Sequence, residues 1–175
     1  MHWVRKRLPL ALALAGGSLL LLAATVGAAR PPFLVDQNGV GSVLLGRTAA
    51  SYRTQFGEAR RERLAGGLDR LVFEGRDIAI IVRSATDRIV AVVTWSSQHT
   101  TAAHIGPCSR LTTLRRAYGN RLVTVATGPS VIALRSGRIV FAADPDGFVS
   151  SVMVATGDSS PMLALEAPIC GRPSV

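Results

Sequence analysis

Between positions 68 and 155 the chain is a succession of short β-branched segments cut by turn residues, and this pattern constrains the fold more than any other feature. The first set is Leu68–Phe73, Ile78–Arg83 and 89–95, separated by Glu74-Gly75-Arg76 and Ala85-Thr86-Asp87. The second is 122–126, 131–135, Ile139–Ala143 and 148–155, separated by Gly128-Pro129, Ser136-Gly137 and Asp144-Pro145-Asp146-Gly147. Valine and isoleucine favour a pleated, half-buried surface, and glycine, proline and aspartate supply the dihedrals of tight turns. Short strands joined by short turns read as antiparallel meanders.

Each set follows a short helical pattern. In the first, Thr48 is placed as the cap, Tyr52 and Phe56 share a face at i, i+4, and Gly57 stops the helix. In the second, Ser109 is placed as the cap, Leu111, Leu114 and Tyr118 recur on one face, and Gly119 stops it. Phe56-Gly57 returns as Tyr118-Gly119 and Gly75-Arg76 as Gly137-Arg138, both 62 positions on, while Val40-Gly41 returns as Ile105-Gly106 after 65. Two matched offsets and a near match read as a drifted duplication. The expected fold is therefore α+β, two tandem repeats of one short helix plus a three- or four-stranded antiparallel meander. Residues 30–39 are assigned as a linker, 40–98 and 99–156 as the two repeats, and 157–175 as a Pro/Gly/Ser-rich tail.

The N-terminus addresses the chain. Arg5, Lys6 and Arg7 precede 22 residues, 8–29, without a charge, and small residues around Gly27-Ala28-Ala29 follow. This is the layout of a secretory signal, and the apolar stretch is also long enough to serve as a retained membrane anchor. Both readings put the remainder outside the cytoplasm, secreted or held by residues 8–29. Without the basic segment, 17 arginines face 11 acidic residues, a net charge of +6. The arginines are dispersed and no aromatic-plus-basic motif accompanies them, which excludes nucleic acid as the expected partner.

The glycine-started turns and Phe/Tyr-Gly helix ends at 40–57 (VGSVLLGRTAASYRTQFG) and 105–119 (IGPCSRLTTLRRAYG) resemble the SmpA/OmlA (BamE-like) superfamily. Present twice, they are similar to the tandem β-lactamase-inhibitory-protein architecture and to exported actinobacterial proteins carrying the same phrases. The resemblance implies a non-enzymatic chain that binds other proteins. The lipid-anchoring cysteine of the outer-membrane lipoproteins is missing here.

Candidate chemistry is sparse. Cys108 and Cys170 are the only cysteines, and in an exported chain they are expected to pair. The competing role, a Cys108 nucleophile beside His104, lacks an oriented base and an oxyanion site. His99 and His104 are five apart, which misses helical zinc spacing, and are assigned to an exposed polar loop. Gly41 to Thr48 imitates a phosphate-binding loop with Arg47 in place of lysine, but Val43, Leu44 and Leu45 read as core. Asp144-Pro145-Asp146-Gly147 begins like a calcium loop and reads better as a hairpin turn. Arg60, Arg61, Glu62 and Arg63 are the densest charge run, assigned to a solvated loop.

These readings converge on an exported, non-enzymatic envelope or secreted domain, without metal or cofactor, that binds another protein through its sheet surface. Trp95, Arg60, Arg61 and Arg63 are the candidate partner surface. The alternatives are a membrane-anchored structural envelope protein without a specific ligand, and an extracytoplasmic enzyme of unrecognised type.

Overall fold

The computed structural model describes residues 31, 33–128, 131–157 and 170. The 1–29 segment and nearly all of the 157–175 tail lie outside the described residues. Among these, twelve strands and two α-helices run in the order β1 (Leu34–Asp36), β2 (Gly39–Val40), β3 (Val43–Leu44), α1 (Ala50–Phe56), β4 (Arg60–Leu64), β5 (Leu68–Phe73), β6 (Ile78–Arg83), β7 (Ile89–Thr94), β8 (Thr100–Thr101), α2 (Leu111–Tyr118), β9 (Val123–Thr127), β10 (Ile132–Ser136), β11 (Ile139–Ala143) and β12 (Val149–Ala155).

The protein is mostly β, with 46% of the described residues in strand and 17% helical. This corrects the expectation of an α+β chain of two tandem helix-plus-small-meander repeats. The strands form one continuous eight-stranded antiparallel sheet, ordered β4-β5-β6-β7-β12-β11-β10-β9, and a second, four-stranded sheet, β3-β2-β1-β8. Two features produce the difference. Val92 to Val154 and Val93 to Met153 pair across β7 and β12, so the 68–94 and 123–155 strands belong to one sheet. Residues 34–44, assigned as linker and opening turn, are strands instead: Val35 pairs with Val40, Val40 with Val43, and Leu34 runs parallel to Thr100.

One face of the large sheet carries the main core. Val40 and Val43 are completely buried and Val35 nearly so, because β2 and β3 lie against β7, and β2 against β12, at the middle of the sheet. Helix α1 flanks them on one side, where Phe56 meets Phe73 edge-on at 5.5 Å. Helix α2 flanks them on the other, where Tyr118 meets Phe141 at 5.2 Å and Leu114 is fully buried. T-shaped ring pairs add to the burial of area itself. Tyr52 ties α1 to the small sheet: its hydroxyl donates to the Ser42 carbonyl and accepts from the Leu44 N–H. Gly39 approaches so closely that any side chain there would run into the Val43 carbonyl.

The expected caps are replaced. Ala49 occupies the start of α1 and Arg110 that of α2, neither with a side-chain cap bond. Thr48 instead bridges to Arg88, and the Ser109 hydroxyl accepts from the Gly106 N–H. Gly57 and Gly119 do end the two helices, with φ of 89° and 50°, a region that favours glycine.

The core analysis gives a stability expectation. Phe141→Ala should cost about 3–5 kcal/mol because it opens a cavity under α2. Val123→Ala, at a half-exposed edge position, should change stability by less than about 0.5 kcal/mol. Chemical denaturation of the two variants checks both.

Candidate functional site

The two outer strands of the large sheet differ sharply. Strand β4 is the charged run itself, so residues 60–63 form an edge strand and not the expected solvated loop. Its side chains alternate between the two faces. On the core side, Arg61 hydrogen-bonds Asp69 of β5, and Arg63 Nε stands 3.6 Å from the same carboxylate. On the other side, Glu62 pairs with both Arg60 and Arg70, and Arg60 also reaches Glu74 at 3.2 Å. Asp69 is only 1% exposed. The Arg61 hydrogen bond, helped by Ser84, holds its carboxyl below the ordinary carboxylate range, and Arg61 is raised in turn by Asp69. Each of these arginines stands beside a carboxylate within this part of the sheet. Charges of this kind protect an edge strand against unwanted pairing.

The candidate partner surface is thereby divided. Trp95 follows β7 in the middle of the sheet, three strands away from β4. It is half-buried and packs against a second apolar cluster on the face opposite the helices. That cluster includes Ile81, Val93, Val140 and Met153, all 2% exposed or less. Leu64, Leu68, Val90, Val125 and Ala126 around them are partly buried, and the structure does not bring Trp95 together with Arg60, Arg61 and Arg63.

At the other end of the sheet lies β9. Among the described residues its one hydrogen-bonded neighbour strand is β10, paired through Val123 to Arg135, Thr124 to Leu134, Ala126 to Ala133 and Thr127 to Ile132, with a bulge in between. Its sequence, VTVAT, holds no charge. Val123 is 60% exposed and, among the described residues, is one of two exposed large hydrophobic residues, with Phe33 at 50%. Sequence reasoning missed this position, although an uncharged strand at 122–126 was visible, because strand order is what makes it an edge.

The two histidines separate. His104 is exposed, as expected, and lines a shallow groove of about 200 Å³ with Pro31, Phe33, Leu34, Thr100, Thr101 and Ala102. His99 is buried, contrary to the expectation of an exposed loop, at 8% exposure. Its Nδ1 lies 2.6 Å from Thr94 Oγ1. That hydroxyl accepts from the Ser96 N–H and donates to the Asp77 carbonyl. A hydroxyl has one proton, so Nδ1 carries the hydrogen and Nε2 the lone pair. Burial pushes the His99 pKa down, while the Asp77 charge pulls weakly the other way. Gly106 is required here, since a side chain would meet the His99 carbonyl. The arrangement is a neutral bracket that fixes the passage from β7 to β8.

Cys108 and Cys170 form a disulfide with a Cα–Cα separation of 5.2 Å, so Cys108 has no thiol to act as a nucleophile. The bond ties the start of α2 to the C-terminal region and fits an oxidising, extracytoplasmic compartment. Gly41 and Ser42 form the turn between β2 and β3, not a phosphate cradle. Asp144 to Gly147 is the β11–β12 turn, where Asp144 accepts from the Phe148 N–H at 2.8 Å and Gly147 has φ 82°. Among the described residues, no three His, Cys, Asp or Glu side chains group to hold a metal ion, and no helix is long and apolar enough to cross a membrane.

No family model and no curated protein matches the chain. Solved structures similar to it include an extracellular SCP-domain protein of Bacillus anthracis, at 11% identity and TM-score 0.46, over 63% of this chain and 43% of that one. A DUF4309 family protein (YjgB) of Bacillus subtilis matches at 14% and 0.45, over 72% and 88%. A cysteine-rich secretory protein of Staphylococcus aureus matches at 16% and 0.45, over 73% and 49%. The chain thus spans less than half the length of two of the three. The SmpA/OmlA and β-lactamase-inhibitory-protein resemblance is overturned: these neighbours belong elsewhere. A short helix ending in Phe-Gly or Tyr-Gly is a general stop signal, and the residues that carried the resemblance were of that kind.

Two expectations follow. Cys170→Ser should lower stability by up to about 4 kcal/mol on loop-entropy grounds, with reductant producing the same loss in the unchanged protein. His99, depressed in the folded state, favours folding fully above the unfolded histidine pKa of about 6.5. Below that value the unfolded chain binds more protons, so stability falls as pH drops through this window toward the folded pKa. Denaturant midpoints from pH 8 to 5 should show this fall, and His99→Asn should flatten it.

Proposed function

We propose that this is an exported, non-enzymatic domain that binds another envelope or secreted protein through its large sheet, and that the contact runs along β9. The observation that carries the reading is the unequal treatment of the two sheet edges. Strand β4 is closed off by paired arginines and carboxylates, whereas β9 leaves an uncharged edge with Val123 exposed. An outer strand offers a row of backbone donors and acceptors to an incoming strand. Among the described residues, β9 ends the sheet and pairs with no strand beyond β10, which leaves its outer backbone groups open to a partner. The disulfide supports the extracytoplasmic setting in which that partner is met.

A photo-crosslinking residue at position 123 should yield an adduct with another protein in cells, several-fold above the same residue at position 63. Equal yields at the two positions, or none at 123, would overturn the reading.

A further inference from the structure

The charge around β9 identifies the kind of partner. Between Asp87 and Asp144 the chain holds seven arginines and no aspartate or glutamate. This stretch supplies β7 to β11 and α2, and so every strand of the β9 side of the sheet except β12. Among the described residues, the ion pairs lie within residues 53–87. Arg115, Arg116 and Arg121 are exposed. Among the described residues, Arg115 and Arg116 have no ion-pair partner. Arg121 donates to the Ala117 and Tyr118 carbonyls and stacks on the Tyr118 ring at 5.2 Å, which holds it one residue before the Leu122–Val123 entry into β9. Arginines in the last turn of α2 complement the helix dipole, but the dipole gives no reason for the lack of any carboxylate over 56 residues.

Resting on the edge reading above, we infer that the partner segment is an acidic peptide in extended conformation, added to the sheet as a strand beside β9. Backbone hydrogen bonds along five residues, a length of roughly 17 Å, provide the affinity. Carboxylates on the incoming strand meet the unpaired arginines and provide selection. Exposed ion pairs contribute little each, and their effect appears in discrimination between partners and in salt dependence. A basic segment is rejected by like-charge contact, and a second copy of this chain by the same arginines. The opposite edge competes less, since each of its arginines already stands beside a carboxylate, Arg60 beside Glu62 and Glu74, Arg61 and Arg63 beside Asp69.

The test uses the full chain in mild non-ionic detergent with three capped octapeptides that alternate valine with glutamate, glutamine or lysine. Titration is followed by the backbone amide resonances. The glutamate peptide should bind at least tenfold more tightly than the lysine peptide, weaken several-fold as salt rises, and shift amides 123–127. An Arg115→Glu, Arg116→Glu, Arg121→Glu variant should bring the glutamate peptide down to the level of the glutamine one. Thr124→Pro and Val125→Pro, one of which removes an outward N–H, should weaken all three peptides for whichever residue faces out. Comparable binding of all three peptides at 123–127 would overturn the acidic specificity and leave the edge reading intact. Shifts confined to other strands, together with no adduct at position 123, would overturn both. The peptide series on the unchanged chain decides the matter even where a variant fails to fold.

Discussion

Everything else in the molecule depends on the pairing of β7 with β12. It joins strands 60–94 to strands 123–155, and the buried residues on its core side, Ile89, Val92, Val152 and Val154, form the floor on which the small sheet rests. Val35, Val40 and Val43 sit over that seam, with α1 and α2 on either flank. A large twisted sheet with two short helices leaves a gap at its middle, and the β1–β3 hairpin fills it. Gln37, in the turn between β1 and β2, accepts from the Arg138 N–H and donates to the Ser136 carbonyl, which fastens the filler to the β10–β11 turn as well.

The same arrangement explains where exposure remains. With the core face covered by the hairpin and helices, and Met153 and Ile81 buried on the opposite face, the large sheet leaves unpaired backbone among the described residues at its end strands, β4 and β9. The two ends received different side chains. Asp69, buried beneath Arg61 and Arg63, makes β4 a strand whose charge is spent internally. Strand β9 itself holds no charge, and among the described residues Arg115 and Arg116 of the preceding helix have no carboxylate partner.

Much of the strand pattern was legible. Leu68–Phe73, Ile78–Arg83 and Ile139–Ala143 coincide with their β-branched runs, and the others differ by a residue at either end. Local propensity and turn chemistry decide such segments. Strand β4 was hidden because RRERL has no apolar alternation; it becomes a strand through register with β5 and through ion pairs, which are tertiary facts. Strands β1 to β3 and β8 are two or three residues long, too short for a periodicity to show. The disulfide followed from compartment and parity, whereas the burial of His99 depended on Thr94 and Asp77 standing at the end of another strand. The error in fold class had a single physical source: short-range patterns specify strands well, but not how many sheets they join.

The parallel contact between Leu34 and Thr100, and the seam between residues 91–94 and 152–155, also govern the order of assembly. A chain is made from its N-terminus, so β1 waits for residue 100 and β7 for the last of the sheet strands before either can be satisfied. Contacts this distant along the sequence make folding slow and leave unsatisfied strand edges exposed in the interim. The molecule therefore closes from its centre only after nearly all of it has emerged.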